Sequence, residues 1–157
     1  MELRFVAMSE DQAKWLAYQW EYEGAYAFYH TDVEKLGLHA FIDVGKSSAR
    51  QYAVYKGEDM VGFLGIKPKK DVAEIGLGMK PDYIGKGFGR AFLQNCLSFI
   101  KNNFEEITAV KLFVAADNKR AIHVSEECGF EKGSARKREI KGAVYDFIEM
   151  QHCFNNG

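Results

Sequence analysis

The sequence predicts an α/β (α+β) fold in which one mixed, mostly antiparallel sheet is flanked by helices. Three observations lead to this fold class: clustered strand patterns over residues 51–79, an amphipathic helix over residues 90–104, and a strand, helix and strand over residues 110–150. Strands that follow one another closely favour antiparallel pairing, whereas helices between strands allow parallel neighbours. With 157 residues, 47% of them hydrophobic, the chain fits one domain, residues 1–157.

The amino-terminal region predicts a strand followed by a helix. Residues 3–8 have strand composition, and Ser9 followed by Glu10, Asp11 and Gln12 resembles a capping box for a helix to about residue 18. Residues 20–30 contain five aromatic side chains in an irregular pattern. We therefore expect a partly buried loop with helical turns there.

The next region predicts a β-hairpin and a third strand. Apolar runs at residues 51–55 and 61–66 are separated by the turn sequence Gly-Glu-Asp at residues 57–59. A second turn is predicted at residues 67–71, and a strand over residues 72–79 follows it.

Two helices and two strands complete the predicted fold. Apolar residues recur every three or four positions between Arg90 and Phe104, which is typical of an amphipathic helix. A strand is predicted over residues 110–115, and Asn118 can cap a helix that ends near Gly129. Residues 144–150 have the composition of a closing strand, and the basic segment 132–141 is interpreted as a solvated turn.

Composition and charge exclude several classes of protein. The net charge of −1 argues against a nucleic-acid partner, and the three cysteines have no zinc-binding spacing. No run approaches the ~18 consecutive apolar residues that a transmembrane helix requires. The amino terminus has no leader pattern. These features predict a soluble, cytoplasmic protein with free thiols, no metal site and no membrane partner.

The glycine-rich segment at residues 84–90 carries the strongest chemical signal. It follows a predicted strand and precedes a predicted helix, and Gly85, Gly87 and Gly89 allow successive main-chain N–H groups to face an anion. Lys86 and Arg90 add positive charge. A dinucleotide fingerprint would need glycine at position 90 or 92, and a Walker loop would need serine or threonine at position 87. Neither motif is present.

Three motifs in order resemble the GNAT superfamily of acyl-CoA-dependent N-acetyltransferases. Residues 84–89, IGKGFG, occupy the place of the family signature Q/R-x-x-G-x-G/A. Residues 118–122, NKRAI, and 126–130, EECGF, are similar to a second family segment, and residues 145–150, YDFIEM, to its closing strand. The resemblance covers roughly residues 50–152.

The resemblance implies acetyl-CoA as the cofactor and a splay between the fourth and fifth strands that receives its pantetheine arm. It implies that Leu77 and Met79 offer main-chain groups to this arm and that Asn118 bonds near it. The pyrophosphate would lie against the loop and helix start, at Ile84, Gly85, Lys86, Gly87, Phe88, Gly89 and Arg90.

The implied reaction is direct attack of a neutral primary amine on the acetyl carbon, with the main-chain N–H of Met79 near the oxyanion. Glu74 is the carboxylate best placed by sequence to remove the amine proton. Ser125 stands where many family members have a tyrosine thought to protonate the leaving thiolate. Because serine is a poor acid, we expect either slower chemistry or a substitute such as Tyr145 or water.

The leading hypothesis is an N-acetyltransferase for a small-molecule or peptide amine. The alternative is a catalytically weak acyl-CoA-binding or regulatory module, because of Ser125, and a third reading is an interaction domain using the aromatics of residues 20–30. Those aromatics and nearby carboxylates would also suit a cationic acceptor. Dimers are common in the family, so a homodimer is one option, although no segment of the sequence specifies it.

Overall fold

The computed structural model describes residues 2–8, 50–79, 87–140 and 143–154. These residues form one mixed sheet of seven strands in the order β1-β2-β3-β4-β5-β7-β6. The elements are β1 (Arg4–Met8), β2 (Arg50–Lys56), β3 (Asp59–Lys69), β4 (Val72–Met79), α1 (Phe88–Asn103), β5 (Ala109–Ala115), α2 (Lys119–Glu127), β6 (Glu131–Ile140) and β7 (Ala143–Cys153). The helix predicted over residues 9–18 and the loop over 20–30 lie outside the described residues.

Strands β2, β3 and β4 form the predicted antiparallel meander. The β2–β3 turn contains Gly57 at φ 63°, a conformation that glycine adopts without steric cost. Strand β3 extends to Lys69, which pairs with Val72 of β4, so the second turn is shorter than predicted. Lys70 makes this turn at φ 59°.

The core lies between the sheet and α1, which is the helix predicted from apolar periodicity. Phe92, Leu93, Cys96 and Ile100 on α1 are fully buried against the sheet. Glycine at position 62 on β3 allows the close approach, because a Cβ there would lie 2.6 Å from the Phe92 ring. This close packing of α1 on the sheet places the amino terminus of the helix beside the end of β4.

Strand β6 corrects the prediction of a solvated turn at residues 132–141. It pairs antiparallel with β7 from Glu131 to Ile140, with an irregularity between Lys132 and Ala135. As an edge strand with exposed side chains at residues 131–137, it lacks the apolar alternation that identifies half-buried strands. Charged side chains on such an edge discourage pairing with other chains.

Among the residues that the structure describes, no helix is long and apolar enough to cross a membrane.

Candidate acyl-CoA site

The only parallel pairing among the described strands ends early and leaves a V-shaped gap. Strand β4 pairs with β5 over three residues, Val72 to Glu74 with Ala109 to Lys111. Beyond this point β5 follows β7, with which it pairs along its whole length. Five further residues of β4, at about 3.3 Å each, give the gap a length of about 16 Å. The gap opens toward the carboxyl ends of both strands.

Helix α1 begins at this open end with a glycine cap. Gly87 precedes the first helical residue at φ 75° and ψ 1°, and no side chain caps the helix. A non-glycine residue at this φ would be strained. The first main-chain N–H groups of α1 therefore have no side-chain acceptor, and the helix dipole favours a negative charge beside them.

A cavity of about 370 Å³ lies between the start of α1 and one face of α2. Two cations line it, Arg90 on α1 and Arg120 on α2, together with the carboxylate Glu127. The rest of its lining comes from small or apolar residues: Met79, Gly87, Gly89, Ala121 and Val124. The cavity therefore combines positive charge, main-chain donors and an apolar wall.

Phe88 and Gly89 contribute to this cavity in different ways. Phe88 is buried in the core and stacks on Phe92 with ring centroids 6.4 Å apart. Only its main chain can therefore face a ligand at the helix start. A Cβ added at Gly89 would lie 3.6 Å from Met79 Cε, so a larger side chain there would extend into the cavity.

A polar network links α1 to α2 at the cavity rim. The Arg90 guanidinium lies 3.4 Å from the Glu127 carboxylate, and His123 Nε2 lies 3.5 Å from the other oxygen of that carboxylate. The Cys128 thiol donates to the Arg90 carbonyl oxygen at 3.6 Å. Burial, aided by Glu127, raises the pKa of Cys128 to about 11. This thiol therefore stays protonated near neutral pH and is unsuited to act as a nucleophile.

Asn118 and Ser125 lie two turns apart on one face of α2. Asn118 is buried, and its Oδ1 accepts a hydrogen bond from the Ala121 N–H at 3.2 Å, which confirms the predicted helix cap. Ser125 is fully buried, and its Oγ has no hydrogen-bond partner in the described structure. A buried hydroxyl without a partner is uncommon and marks a place for water or a ligand atom.

Glu74 is the last residue of β4 that pairs with β5, so it lies where the two strands separate. It is half-buried on the face of β4 opposite to the buried side chains of Ile75 and Leu77. Its neighbours in register are both lysines, Lys67 on β3 and Lys111 on β5.

Tyr145 lies far from Glu74 on the same face of the sheet. Gln151 of β7 is opposite Lys111, and Tyr145 lies on β7 six residues before Gln151, about 20 Å along the strand at 3.4 Å per residue. There it lines a second cavity of about 310 Å³ together with Asp117. The two side chains therefore cannot contact the same reacting atom.

The sequence prediction of the site covered only part of what the structure brings together. Leu77, Met79, Gly87, Gly89, Arg90 and Asn118 lie at the gap or beside the cavity. Ile84, Gly85 and Lys86 lie outside the described residues. The prediction missed Arg120 and Val124, although their spacing from Ala121 places all three on one side of α2. No group of three or more metal-ligating side chains occurs in the described part of the chain.

The family comparison and the curated relatives all relate this chain to acetyltransferases. The model of the acetyltransferase (GNAT) family matches residues 7–130. Spermidine N(1)-acetyltransferase of Vibrio cholerae serotype O1 is 40% identical over 82 residues, which are 50% of this chain and 46% of that protein. An uncharacterized N-acetyltransferase of Methanocaldococcus jannaschii is 35% identical over 75 residues, 47% of this chain and 30% of that protein. The matched segments thus span less than half of either curated relative.

Solved structures share the fold. The crystal structure of spermidine N-acetyltransferase from Vibrio cholerae in complex with CoA and spermine has a TM-score of 0.67 at 20% identity and covers 96% of this chain and 95% of that one. A chimera of the Vibrio cholerae enzyme reaches a TM-score of 0.70 at 19% identity, covering 98% of this chain and 96% of that one. The predicted fold class is confirmed.

Proposed function

Since this chain belongs to the GNAT family of acetyltransferases, we propose that it transfers the acetyl group of acetyl-CoA to a primary amine of a small molecule or peptide. The observation that carries the proposal is the continuity of two features. The gap between β4 and β5 opens at the amino terminus of α1, where the cavity with Arg90 and Arg120 begins. An extended arm with a polyanionic end fits such a path.

The residues present suit the two parts of acetyl-CoA. In the proposal, the N–H groups that follow Gly87 and the two arginines hold the pyrophosphate, because main-chain donors and guanidinium groups bind phosphate oxygens well. Leu77 and Met79 face the gap with their main chains, where an arm can lie as an added strand. Asn118, Gly85, Lys86 and Ile84 complete the proposed contacts. Bound acetyl-CoA supplies the activated acetyl group.

In the proposal, Glu74 prepares the acceptor for attack. Amines are mostly protonated near neutral pH, so the carboxylate at the apex of the gap accepts the proton directly or through a water molecule. The position of Glu74 at the last β4–β5 pair supports this role. The main-chain N–H of Met79 is the proposed donor to the developing oxyanion.

A cationic small amine is the acceptor class to test first. Related proteins carry the names spermidine N(1)-acetyltransferase and spermidine N-acetyltransferase in complex with CoA and spermine. The acidic and aromatic segment predicted to cover the acceptor lies outside the described residues. Spermidine, spermine, a short diamine, an amino acid and a peptide with a free amino terminus therefore form a suitable panel.

The test combines calorimetric binding of acetyl-CoA with release of free CoA in the presence of each amine. Gly89→Leu should fill the cavity and weaken acetyl-CoA binding at least tenfold, whereas Gly89→Ala should bind as the wild type does, since its Cβ has space. Glu74→Gln should lower turnover with little change in acetyl-CoA affinity. Tight binding by Gly89→Leu would reject the cofactor site, and unchanged turnover by Glu74→Gln at every pH would reject the base.

A catalytically weak acyl-CoA-binding module remains the second candidate function because of Ser125. A serine whose Oγ has no partner supplies neither a strong acid nor an oriented one. Tight acetyl-CoA binding without CoA release for any amine in the panel would favour this candidate.

A further inference from the structure

Charges of alternating sign form a row across the sheet on the face opposite to α1. The row passes from Lys67 on β3 to Glu74 on β4 and Lys111 on β5, as their registers show. From Lys111 the charges leave this row, because its register partner on β7 is Gln151. Glu149, two residues away along β7, and Arg136 on β6 join the series through ion pairs that run diagonally across the strands. Five strands thus contribute one charge each to this series of neighbouring charges, and the proposed base is its second member.

Lys111 binds one of the two carboxylates that flank it. Its Nζ lies 3.7 Å from Glu149 Oε1, while the Arg136 guanidinium lies 3.6 Å from Oε2 of the same carboxylate. The Glu149 side chain is 18% exposed and that of Lys111 is 28% exposed. Partial burial strengthens this attraction relative to a fully solvated pair.

Glu74 is within reach of the same lysine and is not bound by it. Neighbouring strands lie about 4.8 Å apart, and a lysine side chain is longer than that. In the described part of the chain no ion pair of the Glu74 carboxylate occurs, although Lys111 is its register neighbour. The Glu149 carboxylate, and the Phe113 ring whose centroid lies 5.8 Å from the Lys111 Nζ, thus keep the Lys111 ammonium directed away from Glu74.

We propose that Glu149 is a positioning residue: its carboxylate, itself bound by Arg136, binds Lys111 and keeps that ammonium away from Glu74. The inference rests on the proposed function, in which Glu74 takes the acceptor's proton. An ammonium beside a carboxylate favours its ionised form and makes it a weaker base. It would also repel a cationic amine. The arrangement therefore protects both the basicity of Glu74 and its access to the acceptor.

The charged groups that face Glu74 among the described residues are Lys67 from β3 and Lys111 from β5, with Glu149 and Arg136 beyond Lys111. Loss of the Glu149 charge leaves Lys111 with Glu74, its register neighbour on β4, as the adjacent carboxylate. Glu74 in Glu149→Gln should become half-protonated at a lower pH than in the wild type.

The test is a ¹³C NMR titration of the Glu74 side-chain carboxyl, assigned from the signal missing in Glu74→Gln. Glu149→Gln should lower the pH of half-protonation by about half a unit or more, and Glu149→Gln combined with Lys111→Met should restore it. Asp146→Asn removes the same charge from β7, where Asp146 pairs with Lys137 at 2.8 Å, and should leave the Glu74 titration unchanged.

Lys111→Met alone keeps the test decisive where Glu149→Gln does not fold. With Lys111 held by Glu149, its removal should leave the Glu74 titration essentially unmoved. An upward move of about half a unit, as expected for losing an adjacent cation, would overturn the proposal. An unmoved Glu74 titration in folded Glu149→Gln would overturn it as well.

The kinetic arm separates this inference from the proposed function. The acid limb of kcat against pH should shift in Glu149→Gln by the same amount as the Glu74 titration, and kcat should fall. If the wild-type protein releases no CoA with any amine, the proposed function fails, while the NMR titration still decides whether Glu149 controls Lys111. A shifted titration with an unmoved acid limb would reject the link to catalysis.

Discussion

Ser125 shows how a single residue can be recognised in sequence and still acquire its meaning only in the structure. The motif comparison identifies it as a serine in the place of a tyrosine, but its complete burial and its unpartnered Oγ depend on how α2 packs. By contrast, Asn118 was predictable as a cap because capping requires only local sequence.

Ser125→Ala should separate stability from function at this position. Removing a buried hydroxyl that lacks a partner should leave the free energy of unfolding unchanged or raise it by up to about 1 kcal/mol. We expect the hydroxyl to order a water molecule near the leaving thiolate. Turnover should therefore fall in Ser125→Ala while acetyl-CoA affinity stays constant. Urea denaturation and CoA release measure the two effects, with Ser134→Ala on exposed β6 as the control. Unchanged turnover would remove Ser125 from the proposed site.

The Cys128 thiol should react slowly with an alkylating agent. Because burial raises its pKa to about 11, only a very small fraction of this thiol is ionised at pH 8. Its alkylation by iodoacetamide should therefore be slow at pH 8 and rise about tenfold per pH unit up to pH 10. Peptide mass spectrometry should find Cys153, which is exposed, modified first. Rapid modification of Cys128 at pH 7 would contradict the protonated thiol.

At the scale of elements, the sequence predicts those whose burial is one-sided. Helix α1 was predictable because Phe92, Cys96 and Ile100 repeat with helical spacing, and the same residues are buried. Strand β6 was not predictable, because an edge strand with exposed side chains carries no apolar alternation. The cavity residues Arg120 and Val124 were missed for a related reason, since they line a cavity that exists only once both helices are placed.

Gly62→Ala should test how closely α1 packs on the sheet. Its Cβ would lie 2.6 Å from both the Gly78 carbonyl oxygen and the Phe92 ring, so strands or helix must shift. We expect a loss of about 1–3 kcal/mol in the free energy of unfolding. Urea denaturation measures it, and Gly89→Ala, whose nearest neighbour is 3.6 Å away, is the matched control without loss. Equal stability of both variants would show that the packing is looser than the structure indicates.

At the scale of the whole molecule, the site arises from the way β5 is shared between two neighbours. Strand β5 pairs with β7 along its full length and with β4 over only three residues, so the gap follows from sheet topology. Strand order and parallel pairing link residues far apart in the chain, and local patterns do not determine them. The splay was therefore expected only from the family resemblance, whereas the strands themselves followed from composition.

Thermal stabilisation by CoA and by fragments of CoA tests whether the gap and the cavity bind one continuous ligand. A ligand that binds only the folded protein stabilises it by RT ln(1 + [L]/Kd), about 2.7 kcal/mol at a concentration of 100 Kd. CoA should therefore raise the melting temperature, whereas pantetheine, which fits only the gap, and adenosine 3′,5′-bisphosphate, which fits only the charged end, should each raise it less at equal concentration. Gly89→Leu should abolish the shift with adenosine 3′,5′-bisphosphate and spare much of the shift with pantetheine, because its side chain enters the cavity and not the gap. Equal shifts from CoA and from one fragment alone would mean that the two features do not act together. The path from the apex at Glu74 to the cavity would then not be the acyl-CoA site.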